Sequence, residues 1–186
     1  MNNIIGFTFP CIPVNQPLGT FYVGSIPWVR LKEITYVDVR LLPGERGFES
    51  LLGIQRPMNE KRAKEIGEYI TTDDASFPTA VILSVDGRCA EYDEDSRSLT
   101  LHEYVDEDDP SNSITTDKIA KILDGQHRIK GFDNADFEGT FDINVSIFID
   151  IDIADQAYLF STINLAQTKV NKSLVFDLFS LSKFKN

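Results

Sequence analysis

The sequence is poor in the residues that hold structural metals. It has two cysteines, Cys11 and Cys89, in no CxxC pattern, and two histidines. A structural zinc site needs four ligands, which usually come in closely spaced pairs, so this spacing predicts no such site. Two distant cysteines are instead typical of reduced thiols in a cytoplasmic protein.

Long apolar runs are also missing. No window reaches the roughly 18 continuous apolar residues of a membrane-spanning helix, so the sequence predicts no membrane segment. The N-terminal stretch MNNIIGFTFPCIPVN lacks the basic start and the long apolar core of a signal peptide. The phosphate-binding pattern GxxxxGKS/T and the dinucleotide-binding pattern GxGxxG do not occur, which excludes the nucleotide-binding folds that depend on them.

Basic residues are outnumbered, with 18 Lys and Arg against 29 Asp and Glu, for a net charge of −11. Nine of the acidic residues and one basic residue fall in 91–109, so this segment carries −8 of that charge. A run of this kind is usually a solvated loop or hairpin rim. The alternative is an acidic surface that mimics or repels nucleic acid. Neither interpretation excludes a basic cleft elsewhere.

The order of apolar patterns predicts one α/β or α+β domain over residues 1–186, with a compact mixed sheet, flanking helices and a hairpin insert. The domain could also be the N-terminal part of a longer protein. Extended segments are predicted at 21–34, 78–87, 118–123 and 141–151, with a hairpin over 89–104. Helices are predicted at 60–70, capped by Asn59, at 129–135, at 154–167 and at 172–184.

The stretch KILDGQHRIKGF places a carboxylate, a glycine, an amide, an imidazole and a guanidinium at the end of a predicted strand. The order strand, Asp124, Gly125, helix predicts a tight turn in which the glycine lets the backbone approach a ligand. A helix start offers free N–H groups to an anion, and His127 and Arg128 would add donors. Asp124 could cap the helix, orient His127, or hold a ribose or a metal ion. The plain alternative is a capped helix with a surface arginine.

Two further clusters carry polar side chains. In IQRPMNEKR, residues 54–62, Arg56 precedes a proline and Arg62 lies in the first turn of the next helix, so both could face a phosphate. The alternative is the solvated face of an amphipathic helix. In TINLAQTKVN, residues 162–171, Asn164, Gln167 and Thr168 could contact a base edge or a ribose, or could satisfy the end of a helix.

Three stretches, QRPMNEKRAKEIGEYI, LDGQHRIKGF and INLAQTKVNKSLVFDLF, resemble the DGQHR-domain family in the same order. That family includes the DndB-like proteins of DNA phosphorothioation and resembles the ParB/sulfiredoxin-like superfamily. The resemblance implies a small mixed sheet and a nucleotide or nucleic-acid phosphate held where the strand meets the GQHR helix. The signature residues are Asp124, Gly125, Gln126, His127 and Arg128; Gln55 and Arg56 match the upstream motif, and Asn164 and Gln167 match the downstream motif.

The resemblance does not extend to sulfiredoxin chemistry. Sulfiredoxins have a nucleophilic cysteine in the equivalent turn, where this chain has Gln126, and reduction of a sulfinic acid requires that thiol. The expected partners are DNA, a nucleotide, or other proteins of a DNA-modification or anti-phage system.

Two classes of function remain. The first is a regulatory protein that binds DNA, a nucleotide or both. The second is a nucleoside triphosphatase or nuclease, in which ATP or another nucleotide binds with Mg²⁺ and the catalytic residues are Asp124, His127 and Arg128. One nearby carboxylate suits a substrate-bridged Mg²⁺ better than a two-metal nuclease, which favours binding with slow hydrolysis at most. A third option is a protein-interaction module that uses the acidic segment 91–109. We also expect that replacing Arg128 weakens anion binding with little effect on stability.

Overall fold

The computed structural model of the protein describes residues 6–38 and 58–166. In this part of the chain, an eight-stranded mixed sheet is accompanied by four α-helices, which confirms the predicted α+β class. The strands are β1 (Gly6–Gln16), β2 (Gly19–Pro27), β3 (Thr35–Tyr36), β4 (Val81–Val85), β5 (Ala90–Asp93), β6 (Ser98–His102), β7 (Ala120–Asp124) and β8 (Asp142–Ile149). The helices are α1 (Trp28–Ile34), α2 (Glu60–Ile70), α3 (Gln126–Gly131) and α4 (Ile153–Ala166).

The strand order is β3-β7-β4-β8-β2-β1-β6-β5. Strands β4 and β8 are parallel neighbours near the middle of the sheet. Both lie within apolar segments that were predicted to be extended, and both are largely buried. Strand β7 runs antiparallel to β4, with Asp124 opposite Ile82. The end of β7 therefore lies beside the start of β4, which brings residues 79–82 next to the turn after β7.

The segment predicted as extended over 21–34 is a strand only as far as Pro27. From Trp28 the chain forms helix α1, which buries Leu31 and Ile34. These two residues are three apart, which is a helical spacing. The loose alternation of apolar and polar residues in this segment favoured a strand instead. Pro27 sits at the junction, where a missing N–H costs nothing. The extended interpretation of 28–34 was therefore wrong.

Strand β1 was not predicted, because Pro10 and Pro13 argue against a strand. The structure accommodates them by dividing the pairing of β1. Residues 6–10 pair with β6, whereas residues 11–16 pair with β2. A proline lacks a backbone donor, and a strand segment that is paired along one side tolerates that loss.

The predicted hairpin is confirmed as β5 and β6, which pair antiparallel from Ala90 with Leu101 to Asp93 with Ser98. Arg97 closes the turn with a positive φ of 50°. The loop after β6 continues the acidic run, and its carboxylates accept hydrogen bonds from nearby backbone N–H groups, as Asp106 does from Asp108 and Asp109. The acidic segment is thus a hairpin rim and a loop.

Helix α2 begins where the sequence predicted. The Asn59 side chain accepts a hydrogen bond from Arg62 N at 3.1 Å, which is an N-cap. The helix buries Ala63 and Ile70 and packs closely against α3. Gly131 makes this approach feasible, because a Cβ on it would collide with the Ile66 side chain. The two helices that carry the predicted site residues are thereby in contact.

The core holds both cysteines as free, buried thiols, and burial raises the pKa of Cys89 to about 11. No helix within residues 6–38 and 58–166 combines the length and the apolar character needed to cross a membrane. The helix predicted at 172–184 lies outside the described residues.

Candidate functional site

The turn between β7 and α3 is built on Gly125. This residue has φ +99° and ψ +9°, a left-handed conformation that glycine adopts without strain, and it occupies the N-cap position of α3. Among the described residues, no side chain caps this helix. The first of the roles considered for Asp124, that of helix cap, is therefore excluded. Asp124 instead accepts a hydrogen bond from Arg128 Nη2 at 3.2 Å.

Arg128 joins two loops that are far apart in sequence. Its Nη1 donates to the carbonyl of Thr79 and, at 2.9 Å, to the Thr79 hydroxyl. Its Nη2 donates to the carbonyl of Ala80 at 2.9 Å and to Asp124. The side chain is 14% exposed. Both terminal nitrogens thus tie the approach to β4 to the turn after β7. These contacts argue against the surface arginine of the plain alternative. They also lead us to revise the expected effect of replacing Arg128 from a small loss of stability to a large one, which stays a prediction.

His127 links the turn to helix α2. The backbone N–H of Asn59 donates to His127 Nε2 at 3.2 Å. Because a backbone N–H can only donate, Nε2 is unprotonated, and the neutral ring has its proton on Nδ1. Burial, together with the charge of Arg62, lowers the pKa of His127 below 6.5, and Asp124 and Glu60 oppose this shift. The ring is therefore neutral at pH 7 and keeps one N–H donor.

This hydrogen bond predicts a pH dependence of stability. Between the lowered pKa of folded His127 and the ordinary value of about 6.5, the unfolded chain binds more protons, so the free energy of unfolding rises with pH across this window. Above about pH 6.5 the contribution of His127 is complete, and below the folded pKa it is lost. We expect His127→Gln, which can still accept from Asn59 N–H through its amide oxygen, to remove this rise in urea unfolding curves. Parallel pH profiles for both proteins would contradict the assignment.

The predicted residues meet in one cavity of about 560 Å³. Its polar lining comprises Arg62, Thr79, Asp124, Gln126, His127, Arg128 and Ser146. The side chain of Arg62 is exposed and makes no hydrogen bond or ion pair with any other residue in the described ranges. Among the described residues, no group accepts from the Arg62 guanidinium or from the Nδ1–H of His127, and both donors suit an anion. The Ser146 hydroxyl is a further donor of the lining.

The other wall of the cavity is apolar. It is lined by Ile66, Ile82, Leu123, Phe160 and Ile163. Phe160 and Ile163 lie in the helix that was predicted over 154–167, but neither was singled out as a site residue, and nor were Ser146 and Thr79. No local signal marks these residues, because they come from three elements distant in sequence. The cavity thus offers a charged wall and an apolar wall to the same ligand.

Several predicted residues cannot be placed in this cavity. Gln55, Arg56, Gln167 and Thr168 lie outside the described residues. Asn164 belongs to helix α4, but its side chain is outside the described part. Asp124 is the one carboxylate among the described residues that line the cavity. Residues 6–38 and 58–166 contain no group of three or more His, Cys, Asp or Glu side chains arranged for a metal ion.

Comparison with known proteins gives one finding. A family model described as DndB, DNA-sulfur modification-associated, matches residues 9–182. No curated protein and no solved structure matches the chain.

Proposed function

The chain belongs to the DndB family of DNA-sulfur modification-associated proteins, and on that premise we propose that it binds a phosphate group of DNA or of a nucleotide in the cavity at Asp124–Arg128. The observation that carries this proposal is the meeting of Arg62 with the DGQHR turn, although 62 residues of sequence separate Arg62 from Asp124. The Arg62 guanidinium has no partner within residues 6–38 and 58–166, and together with a neutral imidazole donor it is suited to one anionic group.

The residues have different parts in this proposal. Arg62 and His127 contact the anion. Arg128 is a positioning residue, because its terminal nitrogens are already bonded to Thr79, Ala80 and Asp124. Gly125 lets the turn approach the cavity. Gln55, Arg56, Asn164 and Gln167 are proposed as further ligand contacts on the strength of the family motif alone. Thr168 is proposed because it follows Gln167 in the polar cluster 162–171.

The apolar wall favours a nucleotide as a second candidate ligand. A backbone phosphate of duplex DNA needs charge, whereas a base or a ribose also needs a surface on which to pack, and Phe160 and Ile163 offer one. ATP or another nucleoside triphosphate would then place its phosphates at Arg62. A Mg²⁺ ion bridged by those phosphates would find one protein carboxylate, Asp124. Hydrolysis at this site stays a prediction, with Asp124 and His127 as the expected catalytic groups and Arg128 holding the turn in position.

Arg62→Ala tests the anion site without disturbing the fold, because the Arg62 side chain is exposed. We expect roughly tenfold weaker binding, the usual loss for one charge-assisted hydrogen bond. With DNA as ligand, the slope of log affinity against log salt should also fall by about one. Fluorescence anisotropy with duplex DNA and calorimetry with ATP, CTP and GTP, each with and without Mg²⁺, measure both effects and separate the two ligands.

Lys61→Ala is the matched control. Lys61 lies beside Arg62 on α2, its side chain is 87% exposed, and it is absent from the cavity lining. Equal losses in the two variants would mean that α2 contributes a diffuse positive surface, and the proposed site would be wrong. An unchanged affinity in Arg62→Ala would also mean that the proposed site is wrong.

A further inference from the structure

A second cavity, of about 450 Å³, lies at the opposite end of strands β4 and β7. The DGQHR cavity is at the end of β7 and the start of β4, whereas this cavity is at the start of β7 and the end of β4. The parallel strands β4 and β8 both end here, and helix α4 begins here. Ligands of open sheets commonly bind outside the carboxyl ends of parallel strands. The position therefore suits a binding site that is separate from the first.

Two buried polar side chains line this cavity. Ser84 and Gln156 are each 8% exposed, and they are the buried polar residues of the described ranges. Gln156 Nε2 donates to the carbonyl of Ile151 at 2.9 Å and to Ser84 Oγ at 3.4 Å. A carbonyl can only accept, so the amide nitrogen must face Ile151. Nothing in residues 6–38 and 58–166 donates to Gln156 Oε1. This buried acceptor is the group left for a ligand.

Asp150 adds a second acceptor to the lining. It has a positive φ of 54°, which is uncommon for a residue other than glycine, and such conformations are enriched at ligand sites. Its Oδ1 accepts from the backbone N–H of Gly87 at 2.6 Å. Within the described part of the chain, no lysine, arginine or histidine forms an ion pair with it. Asp150 thus brings an uncompensated negative charge to the cavity.

The other charges of the lining are mostly paired. Asp86 is bound by Arg88 at 2.7 Å, and Lys121 by Asp38 at 3.1 Å. Among the described residues, Lys118 forms no ion pair, and it is exposed. After the pairs are set aside, the lining presents one carboxylate, one buried amide oxygen and one exposed ammonium. The amide oxygen is buried, whereas the Asp150 carboxylate and the Lys118 ammonium are both exposed. The two acceptors call for a ligand that donates.

We propose that this cavity binds a small organic ammonium compound. Its N–H groups donate to Gln156 Oε1, after a small rotation of that amide, and to the Asp150 carboxylate. An ammonium group has three donors and a positive charge, so it satisfies both acceptors at once. Lys118 favours a compound that also has an acidic group, which points to a free amino acid rather than a polyamine.

Calorimetry with the purified protein tests this proposal. The probes are the common L-amino acids, spermidine, and N-acetylated amino acids, which lack the ammonium. Two variants remove one acceptor each. Asp150→Asn keeps a side-chain oxygen for Gly87 N–H and tolerates the positive φ, but it loses the charge and replaces the other carboxylate oxygen with an NH2 group, which cannot accept. Gln156→Leu removes the unpaired oxygen. We expect at least tenfold weaker binding in each variant, unchanged binding in Arg62→Ala, and no binding of acetylated probes.

Each outcome decides the matter. Binding of an amino acid that is lost in both variants supports the proposal. Binding of spermidine with the same losses supports recognition of ammonium and identifies a polyamine as its source. The absence of heat with every probe overturns the proposal, as does equal binding of acetylated compounds. Full affinity in both variants, with thermal unfolding confirming that they are folded, also overturns it, because the ligand then binds elsewhere.

Discussion

Arg128→Ala is expected to lower the free energy of unfolding by roughly 3 kcal/mol, as for other arginines removed from partly buried ion pairs. The substitution deletes the bonds to Thr79, Ala80 and Asp124 and leaves the Asp124 carboxylate, 30% exposed, without its cation. For a chain of this size the loss corresponds to a decrease in melting temperature of roughly 6–12 °C. Urea unfolding and scanning calorimetry measure the two quantities.

Arg88→Ala is the matched control for this result. Arg88 also binds an aspartate through two nitrogens, but its side chain is 45% exposed and Asp86 is 38% exposed. Solvent screens a surface pair of this kind, so we expect Arg88→Ala to cost much less stability than Arg128→Ala, although it also removes the contact of the guanidinium with the Tyr104 ring. If Arg128→Ala lowers the free energy of unfolding no more than Arg88→Ala does, Arg128 does not hold the two loops together. Its charge would then be available to the ligand.

Gly125→Ala is expected to cost about 3 kcal/mol, from two sources that can be separated. A left-handed backbone costs roughly 1–2 kcal/mol for a residue with a side chain. In addition, a Cβ at this position would lie 2.8 Å from Val81 Cγ2 and 3.0 Å from Arg128 Nη2, and such overpacking typically costs 1–3 kcal/mol. Phosphate binding should weaken as well, because the turn and the arginine must both shift.

Gly19→Ala separates these two costs. Gly19 also has a positive φ, of 136°, but a Cβ there would meet no atom within 4 Å. We therefore expect Gly19→Ala to lose only the backbone contribution and to leave ligand binding unchanged. If the two variants lose the same stability in urea unfolding, the close approach of Val81 and Arg128 to the turn has no energetic consequence, and the packing described for this site is wrong.

Local patterns predicted much of the fold and little of the site geometry. Strands β4 and β8, the hairpin, the N-cap at Asn59 and the DGQHR turn were predictable, because each depends on neighbours along the chain. The structural role of Arg128 could not be predicted in this way, because its partners Thr79 and Ala80 are 49 and 48 residues away in sequence. The bond from Asn59 N to His127 likewise spans 68 residues. Pairings of this range are set by the sheet order, which no short motif encodes.

The position of β5 gives the acidic run a physical role of its own. Within the described residues, β5 is the last strand of the sheet and pairs with β6 alone, so its outer backbone groups could pair with a strand of another molecule. Its outward residues Glu91 and Asp93 are carboxylates, and hydrogen bonds from Ser96 keep the pKa of Asp93 below the ordinary value. Two such edges repel each other, even in mild acid. The acidic run therefore disfavours edge-to-edge pairing between two copies of the protein.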